Sequence, residues 1–135
     1  MRALEHIGIA VRSLQEAIPR WERLLGVPCY KIEEVPSEGV RTAFFRVGAV
    51  KIELLEATRP DSPIARFLER RGEGIHHLAF AVDDVRQALI ALGEKGFAPL
   101  HEEPRPGADN KWVGFFHPRS ANGVLVEVCQ DREES

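Results

Sequence analysis

The chain repeats itself. The segment HIGIAVRSLQEAI, starting at His6, returns as HLAFAVDDVRQAL, starting at His77, an offset of 71 residues. His6/His77, Ala10/Ala81, Val11/Val82 and Ala17/Ala88 are identical across the two segments. Ile7/Leu78, Gly8/Ala79, Ile9/Phe80, Leu14/Val85 and Ile18/Leu89 are conservative pairs. GVPCY at Gly26 answers to GFAPL at Gly96, and the halves close alike, on VKIELLE around Glu53 and VLVEVCQ around Glu127. The chain is therefore two copies of one unit of about 65 residues, and such self-similarity constrains architecture before any local pattern does.

Each unit reads as strand, helix, then strands. In the first, Leu4–Val11 alternates and is rich in β-branched residues, which predicts a strand. Ser13 with Glu16 three residues on is a capping box. Leu14, Ile18, Trp21 and Leu25 then keep helical spacing up to a Gly26 C-cap. Strands follow at Cys29–Glu33, Thr42–Val47 and Val50–Ala57. The second unit predicts a strand Gly74–Val82, an Asp84 N-cap, a helix to Lys95 and a Gly96 C-cap. Its strands are expected at Ala98–Glu103, Trp112–His117 and Gly123–Gln130. Between the units, Ser62 caps a short helix with Pro63 in its first turn and Ile64, Phe67 and Leu68 on its apolar face. The pattern is an α+β fold of tandem βαβββ modules. It is read as one domain over 1–135, with module 1 at about 1–60, the linking helix at about 62–71 and module 2 at about 72–135. The loop Pro104–Asn110, rich in Pro, Gly and Asp, is expected to be able to close over a site.

Composition excludes several classes. Net charge is −3 with both signs interspersed, without the basic stripe of a nucleic-acid binder. No apolar run approaches the ~20 residues of a membrane span, and the short apolar stretch at the N-terminus, interrupted by Glu5 and His6, reads as a strand rather than a signal peptide. Cys29 and Cys129 make no close pair, which points to a reducing, cytoplasmic setting. There is no CxxC, Walker loop or GxGxxG.

Strand parity gathers the chemistry. Side chains alternate faces along a strand, so His6 shares a face with Gly8 and Ala10, and His77 with Ala79 and Ala81. Glu53 shares a face with Lys51 and Leu55, and Glu127 with Leu125 and Cys129. Each unit thus has one apolar face for a helix to cover and another carrying one His, one Glu and small residues. Two imidazoles and two carboxylates related by the repeat make a site for a divalent transition metal, with two positions of an octahedral ion left open. A buried carboxylate without a partner is expensive, and two on matched faces call for a cation. The remaining histidines read as structural. His76 faces the helix side, His101 lies beside a loop and His117 shapes a turn before Pro118. Glu69–Arg71 is a solvated helix end, and Phe44 and Phe45 divide between core and cavity wall.

The stretches HIGIAV, DSPIARFLERRGEGIHHLAFAVDD and FFHPRSANGVLVEVCQ resemble the vicinal oxygen chelate superfamily, and within it the methylmalonyl-CoA epimerase family. The DSPIA helix followed by GIHHLAFAVDD is the most specific part, since it is not typical of glyoxalase I. The resemblance covers essentially the whole chain. It implies one curved eight-stranded sheet, a divalent metal with cobalt favoured over manganese, nickel or zinc, a CoA thioester substrate and a homodimer. It implies ligands His6, Glu53, His77 and Glu127, the second being Gln or Glu in the family. Some members also carry a Glu on the third strand as a catalytic base, where this chain has Thr42 in GVRT.

The implied reaction interconverts the 2R and 2S forms of methylmalonyl-CoA by proton transfer at the α-carbon through a metal-stabilised enolate. With Thr42 unable to act as a base, Glu53 and Glu127 are the expected pair, flanking the α-carbon and exchanging acid and base roles. Lys111 is the candidate contact for the substrate carboxylate or a CoA phosphate. The competing readings are a glyoxalase I-type lyase on the same scaffold and a metal-free ligand-binding module. An extradiol dioxygenase fits less well, because Glu53 would fill its oxygen site.

Overall fold

A computed structural model describes residues 1–132. The elements run β1 (Ala3–Ala10), α1 (Leu14–Leu25), β2 (Lys31–Val35), β3 (Val40–Val47), β4 (Val50–Ala57), α2 (Pro63–Arg71), β5 (Gly74–Ala81), α3 (Val85–Glu94), β6 (Arg105–Gly107), β7 (Lys111–Phe116) and β8 (Val126–Asp131). The fold is α+β and repeats βαβββ twice. The strands hydrogen-bond as an eight-stranded sheet in the order β2-β3-β4-β1-β5-β8-β7-β6. The sheet is mixed. β1 runs parallel to β4 and β5 parallel to β8, while β2–β3, β3–β4, β6–β7 and β7–β8 are antiparallel. No helix among the described residues is long and apolar enough to cross a membrane.

Residues 6–76 form one compact unit, and residues 1–5 with those from 77 onward form another. In the first, the Ser13 hydroxyl accepts from the Glu16 N–H at 3.3 Å and starts α1, and Gly26 ends it at φ 72°. A positive φ there favours a residue without Cβ. Helix α1 lays Leu14 and Ala17 on Val11, Ala43, Phe45 and Leu54, with Ile9 and Ile52 at the margin. These are the positions of opposite parity to His6 and Glu53. Helix α2, capped by Ser62 with Pro63 at its start, packs Ile64, Phe67 and Leu68 against Ala10, Val40 and Leu55. It therefore belongs to the packing of this unit and is more than a linker.

In the other unit Asp84 accepts from the Gln87 N–H at 3.1 Å and starts α3, which packs Val85 and Leu89 on Phe116 and Val128. Gly114 makes that packing close, since a Cβ there would lie 2.8 Å from Leu89 Cδ2.

Three local expectations give way. Helix α3 ends at Glu94 with Lys95 as its C-cap, so Gly96 (φ 99°) stands one residue beyond the cap. The strand expected at Ala98–Glu103 is reduced to one bridge, Pro99 to Phe116. The Leu100 N–H donates to the Phe115 carbonyl at 2.8 Å and the His117 N–H to the Ala98 carbonyl at 2.7 Å, so the pairing flanks Pro99 without extending into a strand. The expected closing loop Pro104–Asn110 instead holds β6, whose Arg105 and Gly107 sit opposite Val113 and Lys111 of β7. Asp109 and Asn110, both at positive φ, make the turn between them. The segment is an edge strand tied to its neighbour, and Pro106 is tolerated because an edge leaves one row of N–H groups unused.

Candidate metal centre

The site is built on the same strand register in each repeat. β1 and β4 pair so that Gly8 is beside Glu53, and β5 and β8 pair so that Ala79 is beside Glu127. The residue beside each carboxylate is therefore the small one, and the histidine two positions earlier can turn toward it. His6 Nδ1 lies 3.2 Å from Glu53 Oε2, and His77 Nε2 lies 3.1 Å from Glu127 Oε1. All four side chains are buried, about 5–7% exposed, a depth at which ionised carboxylates need partners.

Among the described residues, His6 in one unit, and His77 with Glu127 in the other, are buried donors of the kind that could hold a metal ion. The chemistry of the set fits one, since imidazole nitrogen with carboxylate oxygen suits divalent first-row metals. Glu53 is not among those three donors, and it touches them through His6. It also meets Lys51, whose ammonium is buried 3.7 Å from Glu53 Oε2 and lies over the Phe44 ring at 5.7 Å. Parity placed Lys51 on this face, but its burial was not expected, because a lysine in a strand ordinarily reads as a solvated position. The K-x-E spacing on a half-buried strand is the signal that could have found it.

The other candidates fall elsewhere. Lys111 opens β7 opposite Asp131 and pairs with that carboxylate, while Glu5 Oε2 lies 3.9 Å away. Thr42 is buried on the face of Phe44. Phe45 joins the α1 core, whereas Phe44 lies beneath the Lys31 and Lys51 ammoniums. His77 meets Phe115 edge to face at 5.9 Å. His76 packs edge-on against Phe67 of α2 at 5.0 Å, and His117 Nδ1 accepts from the Arg119 N–H at 3.0 Å, capping the turn Pro118–Ala121. His101 is half-buried outside any helix or strand. Cys29 and Cys129 are not joined in a disulfide, and the Cys129 thiol donates to the Phe80 carbonyl at 3.7 Å and to Glu5 Oε1 at 3.9 Å.

Comparison with known proteins agrees with this geometry. Residues 5–115 match the glyoxalase/bleomycin resistance protein/dioxygenase superfamily. The mitochondrial methylmalonyl-CoA epimerase of Homo sapiens is 38% identical over 128 residues, which cover 94% of this chain and 73% of that protein. A methylmalonyl-CoA epimerase solved with methylmalonyl-CoA and NH4+ superposes with a TM-score of 0.93 at 33% identity, over 97% of this chain and 95% of that one. A Streptomyces coelicolor methylmalonyl-CoA epimerase variant, solved with 2-nitronate-propionyl-CoA, superposes with a TM-score of 0.94 at 33% identity, over 100% of this chain and 99% of that one. Whole-chain identity at this level, with the His–Glu pairs at repeat-matched positions, identifies the chain as a member of the methylmalonyl-CoA epimerase family, within the glyoxalase/bleomycin resistance protein/dioxygenase superfamily.

Proposed function

We propose that the protein is a metal-dependent epimerase interconverting (2R)- and (2S)-methylmalonyl-CoA by proton transfer at the α-carbon. The observation that carries this reading is the buried His–Glu pair in each repeat, His6 with Glu53 and His77 with Glu127, in a chain whose relatives are epimerases. His6, Glu53, His77 and Glu127 hold one divalent ion, cobalt being favoured, with manganese, nickel and zinc suited to the same donors. When bound, the ion supplies Lewis acidity that lowers the cost of negative charge at the thioester oxygen. In the same reading the working form is a cytoplasmic homodimer, the dimer following from the family resemblance.

The α-proton leaves on one face of the substrate and another arrives on the opposite face, so two groups share the work. Glu127 serves one side. Glu53 serves the other in the simplest scheme, the two exchanging acid and base roles. Its contact with the buried Lys51 ammonium favours its ionised form, which makes Glu53 the weaker base of the two. Under the simplest scheme, Glu53→Gln stops interconversion with the metal still bound, read by metal analysis beside the turnover assay. Lys111 offers its ammonium to the substrate carboxylate or a CoA phosphate. Lys111→Ala then raises KM, and an unchanged KM removes Lys111 from the scheme.

The test of the function is exchange of the α-proton of methylmalonyl-CoA in heavy water. Protein stripped of metal is inactive, and reloading with cobalt restores exchange together with interconversion of the epimers. A fully loaded protein that exchanges nothing would retire this substrate and direct attention to glyoxalase chemistry.

A further inference from the structure

The third strand lacks a carboxylate at Thr42, and the register of its neighbour shows where one stands. β2 pairs antiparallel with β3 so that Glu33 is directly opposite Thr42 and Lys31 directly opposite Phe44. Phe44 is in turn opposite Glu53 on β4, and Thr42 is opposite Leu55. Directly opposed residues of an antiparallel pair project to the same side, with Cβ atoms about 4.5–5.5 Å apart. Glu33 therefore projects to the side of the sheet that carries Thr42, Phe44 and Glu53.

Contacts confirm the side. Glu33 Oε1 lies 3.5 Å from Lys31 Nζ, which stands 4.5 Å over the Phe44 ring. Lys51 meets the same ring at 5.7 Å and Glu53 Oε2 at 3.7 Å. One line of contacts runs Glu33–Lys31–Phe44–Lys51–Glu53 across three strands. Glu33 and Lys31 are about a third exposed, whereas Glu53 and Lys51 are buried. Water therefore reaches Glu33 directly, whereas Glu53 is enclosed with Lys51 and His6.

Resting on the epimerase reading, we infer that Glu33 is the second proton-transfer residue, acting from across the strand pair beside the position that Thr42 fills. In one direction Glu127 removes the α-proton, breaking the C–H bond and leaving its electron pair in the enolate. The Glu33 carboxylic acid then donates its proton to the opposite face of that carbon. Glu127 ends protonated and Glu33 ionised, and exchange with water restores both. In the other direction the roles reverse, so no further reactant is required.

The test is Glu33→Gln, which keeps size and removes the acid–base group, in the metal-loaded protein. The parent must interconvert the epimers; a parent that does not overturns the epimerase reading itself. With an active parent, Glu33→Gln is expected to slow interconversion by about 100-fold or more, the range of a lost general acid–base group. Heavy-water exchange should persist for the epimer that Glu127 deprotonates and vanish for the other. Calorimetric affinity for methylmalonyl-CoA should stay within about threefold of the parent, a change of under a kcal/mol. Glu33→Asp, which keeps a shorter carboxylate, should fall between Gln and the parent. Interconversion by Glu33→Gln at the parental rate overturns the inference. So does an equal loss of exchange from both epimers together with weakened binding, which is the signature of a structural role.

Discussion

At the scale of single residues, Lys51 carries the most consequence for its position. Its ammonium is buried beside Glu53 and above Phe44, so the charge of Glu53 is compensated within its own strand. Removing one partner of a buried pair typically costs about 3–5 kcal/mol, because the other charge is left behind. Lys51→Met is therefore expected to lower the melting temperature of chelator-treated protein by about 10 °C or more. The loss should be smaller once a divalent metal is added, since the ion supplies the missing charge, and paired calorimetric scans would show this. The pairing of His6 with Glu53 and of His77 with Glu127 was legible in the sequence because the repeat marks it twice and strand parity puts each pair on one face. The burial of Lys51 was harder to read, since a strand lysine ordinarily stands in solvent and only its K-x-E spacing to Glu53 pointed inward. Glu33 was hidden for another reason. Which residue stands opposite Thr42 depends on the turn Pro36–Glu38 and on Gly39 at φ 64°, and turn geometry, not composition, sets the register.

At the scale of elements, helix starts were easier to read than strand extents. Ser13, Ser62 and Asp84 each cap as their sequence context predicts, the hydroxyl or carboxylate accepting from the N–H three residues on. The Ala98–Glu103 segment misled because its alternation yields only the one bridge at Pro99, flanked by two backbone hydrogen bonds. The union of α3 with the sheet depends on Gly114, where a Cβ would meet Leu89 Cδ2 at 2.8 Å and Val85 Cγ1 at 3.2 Å. Gly114→Ala should cost about 1–3 kcal/mol through overpacking, seen as a lower denaturant midpoint with an unchanged slope. Ser62→Ala should cost about 1 kcal/mol through the lost cap of α2, seen in the same measurement.

At the scale of the whole molecule, the repeat fixes more than the order of elements. It fixes a rule of construction in which a small residue faces each carboxylate across a parallel pair, Gly8 for Glu53 and Ala79 for Glu127. A ligand that binds only the folded chain stabilises it by mass action, about 2.7 kcal/mol at a free concentration of 100 times Kd. Stripping the divalent ion should therefore lower the melting temperature of the whole chain in one transition, and re-addition should restore it, whichever divalent metal is used. The repeats have diverged at their outer strands: β2 spans Lys31–Val35, whereas β6 is only Arg105–Gly107.

That longer outer strand has a consequence for colloidal behaviour. β2 terminates the sheet and bears an exposed Ile32, a combination that invites another chain to add itself to the open row of backbone groups. Alternating charge guards it, with Lys31 beside Glu33 and Glu34 beside Arg41. Neutralising Glu33 removes part of that guard, so the variant should form fibrillar or oligomeric aggregates at a lower protein concentration than the parent. Light scattering along a dilution series would reveal this. The carboxylate assigned to chemistry would then also keep neighbouring molecules apart.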